Sequence, residues 1–168
     1  MDRSSLPAID VGPRPGWLGE MVALHGRYYA AAWDFPLSFE AKVAAEAATL
    51  LARYDPARDL VLTVGLPERL IATLTLDGSD PALQSGETHL RWFIVDDAAR
   101  GSGLGRRLID TAIDFTRRSG ARSIYLTTFR ELEAAGALYR RAGFRITSET
   151  AGSTWGRAVT EQRLDLVL

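Results

Sequence analysis

Apolar and polar positions change period twice along the chain. Trp17, Met21, Leu24 and Tyr28 recur at i, i+4, i+7 and i+11, one face of a helix, and Pro15 just ahead suits a helix start. Ser38 then stands as an N-cap for a second helix with Phe39, Val43, Ala47 and Leu50 as its buried stripe, ending before Pro56. Residues 6–11 (LPAIDV) predict a short strand ahead of both. From residue 60 the pattern turns to strands: 60–65 and 69–78, separated by Pro67 and closed by the Asp77-Gly78 turn signal, then 87–95 (ETHLRWFIV). A helix over 103–119 buries Leu104, Leu108, Ala112 and Phe115 and turns Arg106, Asp110, Asp114 and Arg118 outward. A strand over 123–129, a helix over 131–142 stopped by Gly143, and strands over 144–149 and 158–168 complete the chain. The order β-α-α-β-β-β-α-β-α-β-β predicts one α/β (α+β mixed) domain, a mixed sheet with helices packed on it.

Composition narrows the chemistry. A length of 168 residues with 46% hydrophobic positions fits a single domain over residues 1–168 with a real core. No window approaches the roughly 18 apolar residues of a membrane span, and the first residues carry no apolar run of a secretory signal, so a cytoplasmic protein without membrane contact is expected. Cysteine is absent and only His25 and His89 supply imidazoles, so a thiol nucleophile is excluded and a metal site is not expected. Lys42 is the sole lysine and follows no glycine loop, which excludes a Gly-Lys-Ser/Thr phosphate loop; no Gly-x-Ser-x-Gly elbow occurs either.

A net charge of −1 hides an asymmetry, because residues 91–145 hold eleven Arg against six acidic residues while the remainder is acidic. That distribution points to a localised anionic ligand or to a solvated helix face, not to a nucleic-acid surface. The candidate ligand site is the turn Arg100-Gly101-Ser102-Gly103-Leu104-Gly105-Arg106, between a buried strand and an amphipathic helix. Successive N–H groups in such a turn form an anion-binding hollow at the positive end of a helix, and Arg106 and Arg107 add charge. The dinucleotide pattern Gly-x-Gly-x-x-Gly fails, since residue 106 is Arg. A turn that merely joins strand to helix is the competing reading.

Arg100-x-x-Gly103-x-Gly105 after Phe93-Ile94-Val95 resembles the acetyl-CoA pyrophosphate signature of the GNAT N-acetyltransferase superfamily, and the segment from Ala137 to Phe144 resembles its A-x-x-LYxxxGF element. His25-Gly26-x-x-Tyr29, Trp33-Asp34 with Phe39-Glu40, and Trp155-Gly156 with Glu161-Gln162 resemble the acetyltransferase half of MarR-type regulator–acetyltransferase fusions. The chain departs from the family at Asp97, where Pro is usual, and at Leu132 and Phe129, where Asn commonly holds the pantetheine arm.

The resemblance implies a GNAT-like fold, a mostly antiparallel sheet of about seven strands with about four helices. It also implies direct attack of a primary amine on acetyl-CoA. The acceptor would be a small molecule such as an amino acid, polyamine or antibiotic, with a peptide or protein N-terminus left open, and a homodimer through the last strands is a further option. Phe93, Ile94 and Val95 would pair with the pantetheine arm, while Arg100, Gly101, Ser102, Gly103, Leu104, Gly105 and Arg106 would hold its pyrophosphate. Tyr139 matches the general acid that protonates the leaving thiolate, with a packing tyrosine as the alternative. For the base, His89 comes first and Glu87 second; by the two-residue period Glu87, His89 and Arg91 share a strand face with Phe93 and Val95. His25, Tyr28, Trp33 and Trp155 are candidates for the acceptor wall, against capping for His25 and core packing for the aromatics. The acidic balance outside residues 91–145 favours a cationic acceptor. An acyl-CoA sensing module without turnover is the alternative of another class.

Overall fold

A computed structural model describes residues 7–66 and 69–168, with the backbone alone at Leu66. The elements are β1 (Asp10–Val11), α1 (Trp17–Trp33), α2 (Leu37–Ala52), β2 (Leu60–Leu66), β3 (Arg69–Asp77), β4 (Glu87–Val95), α3 (Leu104–Ser119), β5 (Ser123–Phe129), α4 (Glu133–Arg141), β6 (Arg145–Gly152) and β7 (Val159–Val167). The strands form one seven-stranded sheet in the order β1-β2-β3-β4-β5-β7-β6, antiparallel everywhere except between β4 and β5. This is the mixed α/β architecture read from the pattern. A short 3-10 turn over Asp97–Ala99, which no periodicity announces, leads from β4 toward α3.

Two cores sit on opposite faces of the sheet. On one, Leu104, Leu108, Ile109, Ala112 and Ile113 of α3 and Tyr139 of α4 pack against strand residues such as Leu74, Leu90 and Leu126. On the other, Trp17 and Met21 of α1 and Phe39, Val43, Ala47 and Leu50 of α2 pack against Val61, Leu70, Trp92 and Phe129. Each stripe recurs at helical spacing because burying one face of an amphipathic helix is what stabilises it.

Some boundaries depart from the sequence reading. Ser38 is not the N-cap of α2; that place falls to Pro36, whose extended backbone already presents its carbonyl to the Phe39 N–H at 2.9 Å. The first strand shrinks to Asp10–Val11, with Leu6 outside the described residues, as is Pro67. On α1 the buried set is Trp17, Met21, His25 and Gly26, so Leu24 and Tyr28 lie at the margin of the face. Phe115 is half-buried, and Ile109 and Ile113 widen the α3 stripe in its place.

One departure reshapes the site. Thr73 pairs with Ile94 and Thr75 with Arg91, so Trp92 and Phe93 together stand opposite Leu74, a β-bulge. Trp92 takes φ 46°, a left-handed conformation that costs a non-glycine residue about 1–2 kcal/mol. The extra residue inverts the alternation. Arg91 faces α2, where it binds Glu46, whereas Phe93 and Val95 turn to the α3 face. The expectation that Glu87, His89 and Arg91 share a face with Phe93 and Val95 is therefore corrected.

Candidate functional site

The parallel pairing of β4 with β5 stops early. Glu87, Thr88 and His89 pair with Ser123, Ile124 and Tyr125, and beyond that point the two strands separate. The gap opens a cleft of about 1270 Å³ that reaches from α1 and α2 across the sheet to α3 and α4. Leu90 through Val95 and Leu126 through Phe129 line it, so one edge of β4 faces open space without a strand partner.

The glycine turn closes one end of the cleft. Gly101 and Gly103 adopt φ 75° and 86°, and Gly103 is the N-cap of α3. A Cβ at either glycine would meet nothing within 4 Å, so what a side chain would fill there is the hollow itself. Among the described residues, the N–H groups of Gly101, Ser102, Gly103, Gly105 and Arg106 have no acceptor. Helix geometry leaves first-turn donors unsatisfied, and here they adjoin the helix's positive end. Ser102 serves the turn itself: its Oγ donates to the Ala99 carbonyl at 2.6 Å and accepts from Leu104 N–H, and it does not line the cleft. Arg100 lies 5.1 Å over the Tyr28 ring and pairs with Asp97, tying the turn to α1. Gly105 lets α3 lie against Phe93, Val95 and Leu138, the last only 3.0 Å from where a Cβ would stand.

Tyr139 lines the same cleft from α4 and is 5% exposed, its ring 6.0 Å from Phe93 and 5.9 Å from Phe144. Its hydroxyl binds none of the described residues and is not sealed off. Burial pushes its pKa far above 10, so the phenol keeps its proton at any working pH.

Both histidines line the other end. His25 is buried, with Nδ1 2.9 Å from the Met21 carbonyl and Nε2 without a partner. Burial lowers its pKa to about 4, against a small upward effect of that hydrogen bond. This bond runs to its own helix one turn back, so His25 does not cap the C-terminus of α1. His89 stacks on Tyr125 at 4.1 Å between ring centroids, and Arg163 lies 3.9 Å over the other side of that tyrosine. Burial first, then the charge of Arg91, depresses His89 to about 3. Its imidazole is thus neutral at ordinary pH. Glu87 does not line the cleft; its carboxylate is held by Arg163 at 2.5 Å.

Tyr28, Trp33 and Trp155 also line the cleft. The sequence reading missed what surrounds them. Tyr29, Phe35, Phe39 and Phe129 join Trp33 and Trp155 in one aromatic cluster, drawn from α1, the α1–α2 corner, α2, β5 and the β6–β7 hairpin. It also missed a charged group on the cleft wall: Glu46 binds both Lys42 and Arg91, and Arg91 leans on Asp77, which Arg53 grips with both arms. The Trp92-Phe93-Ile94-Val95 run of apolar residues, where alternation fails, was the one signal of the bulge. No described cluster of His, Asp and Glu is placed to hold a metal ion.

Comparison with known proteins gives this geometry its relatives. The chain is 30% identical over 93 residues to human N-acetyltransferase 8B, covering 55% of this chain and 41% of that protein. It thus spans less than half the length of the curated relatives it first matches. In fold it is similar to an acetyltransferase of the GNAT family from Streptococcus pneumoniae, with TM-score 0.71, 18% identity, and coverage of 96% of this chain and 100% of that one. It is also similar to yncA of Salmonella typhimurium, solved with its cofactor acetyl-CoA, with TM-score 0.68, 18% identity, and coverage of 98% and 95%. The model of the acetyltransferase (GNAT) family matches residues 20–144, from α1 through the glycine turn to the end of α4, and the chain belongs to that family.

Proposed function

We propose that this protein transfers the acetyl group of acetyl-CoA to a primary amine of a small-molecule acceptor by direct attack. The observation that carries the reading is the ring of unpartnered N–H groups at the head of α3, set at the end of an unpaired β4 edge. A phosphate-bearing chain laid along that edge meets donors where its charge lies. The residues fit acetyl-CoA: the hollow at Gly101 and Gly103 is open, Arg100 and Arg106 flank it, and the cleft is long enough to run past Tyr139. Bound acetyl-CoA would supply a thioester open to an amine nucleophile.

Main-chain groups of Phe93 and Val95 bind the pantetheine arm as an added strand would. Tyr139 is the general acid: its phenol lines the cleft from α4 and is protonated when the thiolate leaves, although the burial that raises its pKa takes driving force from the transfer. His89 takes the proton of the amine, directly or through water; it lines the cleft while Glu87 stands off it. Its low basicity keeps the accepting form present at every working pH, at the expense of driving force. With no cysteine in the chain, no thiol intermediate intervenes. His25, Trp33 and Trp155 border the acceptor's side of the cleft, and Tyr28, under the Arg100 guanidinium, stands between that side and the glycine turn.

On the same reading residues 1–168 are one catalytic domain acting in the cytoplasm, similar to the acetyltransferase half of MarR-type fusions and able to pair with a second copy through β6 and β7. Calorimetric titration with acetyl-CoA tests its foundation. Wild type should bind at micromolar concentration and Gly103→Glu should not; a folded wild type that fails to bind overturns the reading.

A further inference from the structure

The cleft also carries information about its acceptor, and the inference drawn from it rests on the transferase reading above. Its aromatic end is a slot with a back and two sides. Phe129 forms the back, 5.1 Å from Trp33, 5.5 Å from Phe35 and 5.8 Å from Trp155 between ring centroids. Phe129 and Phe35 are buried, while the two tryptophans are half-buried and line the cleft, leaving ring surface for a ligand. The slot is fastened. Gly156 sits so close to Pro36 that a Cβ would stand 2.6 Å from its Cγ, and Arg157 donates to the Trp33 carbonyl. Flat apolar groups are what rings in offset or edge-on array accept best.

One turn along α2 from Phe39 stands Lys42, the chain's sole lysine, and one turn further Glu46. Glu46 Oε1 accepts from Lys42 and Oε2 from Arg91, so two cations already answer its one negative charge. Lys42 has further N–H donors beyond the one it spends on Glu46. Arg91 also leans on buried Asp77, so Lys42 is the cation of this group left with donors for a ligand, on the wall of the cleft beside the bulge at Trp92 where the strands part. This local arrangement runs opposite to the acidic balance of the chain outside residues 91–145, which weighed toward a cationic acceptor. A molecule with an amine at the parting of the strands, an anionic group toward Lys42 and a ring in the tryptophan slot meets every feature of this wall.

We propose that the acceptor is an aromatic α-amino acid, its carboxylate read by Lys42 and its ring held between Trp33 and Trp155. The test uses the full chain with saturating acetyl-CoA, thiol release as readout, and L-phenylalanine, phenethylamine, L-alanine, spermidine and a peptide N-terminus as acceptors. Phenylalanine should exceed phenethylamine and alanine at least tenfold in kcat/KM. Lys42→Met should cut the preference for phenylalanine over phenethylamine about tenfold, and Lys42→Arg should restore it. Trp155→Ala should cut the preference for phenylalanine over alanine by a similar factor. General damage to the fold would lower both acceptors of a pair and leave their ratio unmoved. Preference for spermidine, phenethylamine or the peptide, parity of alanine with phenylalanine, unmoved ratios in the variants, or no turnover of any amino acid by protein that binds acetyl-CoA would overturn the proposal and leave the cofactor reading intact. Failure to bind acetyl-CoA would remove both.

Discussion

The two ends of the cleft are built by different means. At the α3 end, binding capacity resides in main-chain groups: the unpartnered N–H donors of the glycine turn and the free edge of β4. At the α1–α2 end it resides in side chains, the aromatic cluster and the Lys42–Glu46–Arg91 group. Backbone sites need only the right φ values and the absence of side chains, so a few glycines specify them. Side-chain sites can be changed residue by residue without touching the sheet. On the transferase reading the backbone end would hold the cosubstrate and the side-chain end the acceptor, and each variant below tests whether the ends are separable.

The largest effect belongs to the backbone end. Gly103→Glu puts a carboxylate where anions should sit and forces a side chain onto φ 86°. Loss of acetyl-CoA affinity of about a thousandfold or more, roughly 4 kcal/mol, is expected in calorimetry. Urea unfolding should change by only about 1–2 kcal/mol, the strain of one left-handed residue. Equal loss in both measurements would mean that the turn is structural.

Acid should separate the ends next, because both histidines lie toward the acceptor end and the glycine turn has none. The folded-state pKa values of His25 and His89 lie at about 4 and about 3, below the usual 6.5 of an exposed histidine. As pH falls below 6.5 the unfolded chain takes up these protons first, so stability present above 6.5 drains away down to about pH 4. For His25 the loss amounts to about 3 kcal/mol across that window. Urea midpoints should fall steadily between pH 6.5 and 4 in wild type and less steeply in His25→Leu. A flat profile would show that His25 is not held neutral. Activity, by contrast, should show no enzyme imidazole titrating near pH 6.5.

What the sequence made legible follows the same division. The strand and helix order, the glycine turn at the head of α3 and the place of Tyr139 on α4 were readable because each is local: a period, a φ requirement, or a short motif on one element. The bulge at Trp92 was not, since no glycine or proline marks it and tryptophan pays the left-handed strain because the α1–α2 core holds its ring. Phe39 could be read as buried, but the cluster it enters through Phe35, where Phe35 meets Phe129 and Phe129 meets Trp155, joins segments far apart in the chain, which no periodicity encodes. Lys42 registered only as a lysine without a phosphate loop; its place beside Glu46 on the cleft wall emerged once α2 lay across β4.

Tyr139→Phe sharpens the comparison from the middle of the cleft. The ring contacts with Phe93 and Phe144 survive, so stability and acetyl-CoA affinity should stay close to wild type. Loss of the proton donor should lower kcat about a hundredfold, near the bottom of the range for a general acid. Unchanged kcat would return Tyr139 to packing.

The smallest effect tests the fastening of the acceptor end alone. Gly156 has φ 85°, and a Cβ there would meet Pro36 Cγ at 2.6 Å and Ser38 Oγ at 3.0 Å. The Ser38 hydroxyl can rotate away, but Pro36 cannot retreat, as it caps the start of α2 and its ring is rigid. In Gly156→Ala the β6–β7 hairpin must therefore lift, carrying Trp155 away from Phe129. Strain of about 1–2 kcal/mol at a left-handed residue is comparable to a tenfold change in binding. The acceptor's KM should rise about tenfold while acetyl-CoA affinity, set by backbone groups on the far side of the β4–β5 gap, stays within about twofold. If acetyl-CoA binding weakens in parallel, the two ends are mechanically coupled, and the hairpin serves to close the whole cleft rather than to shape one side of it.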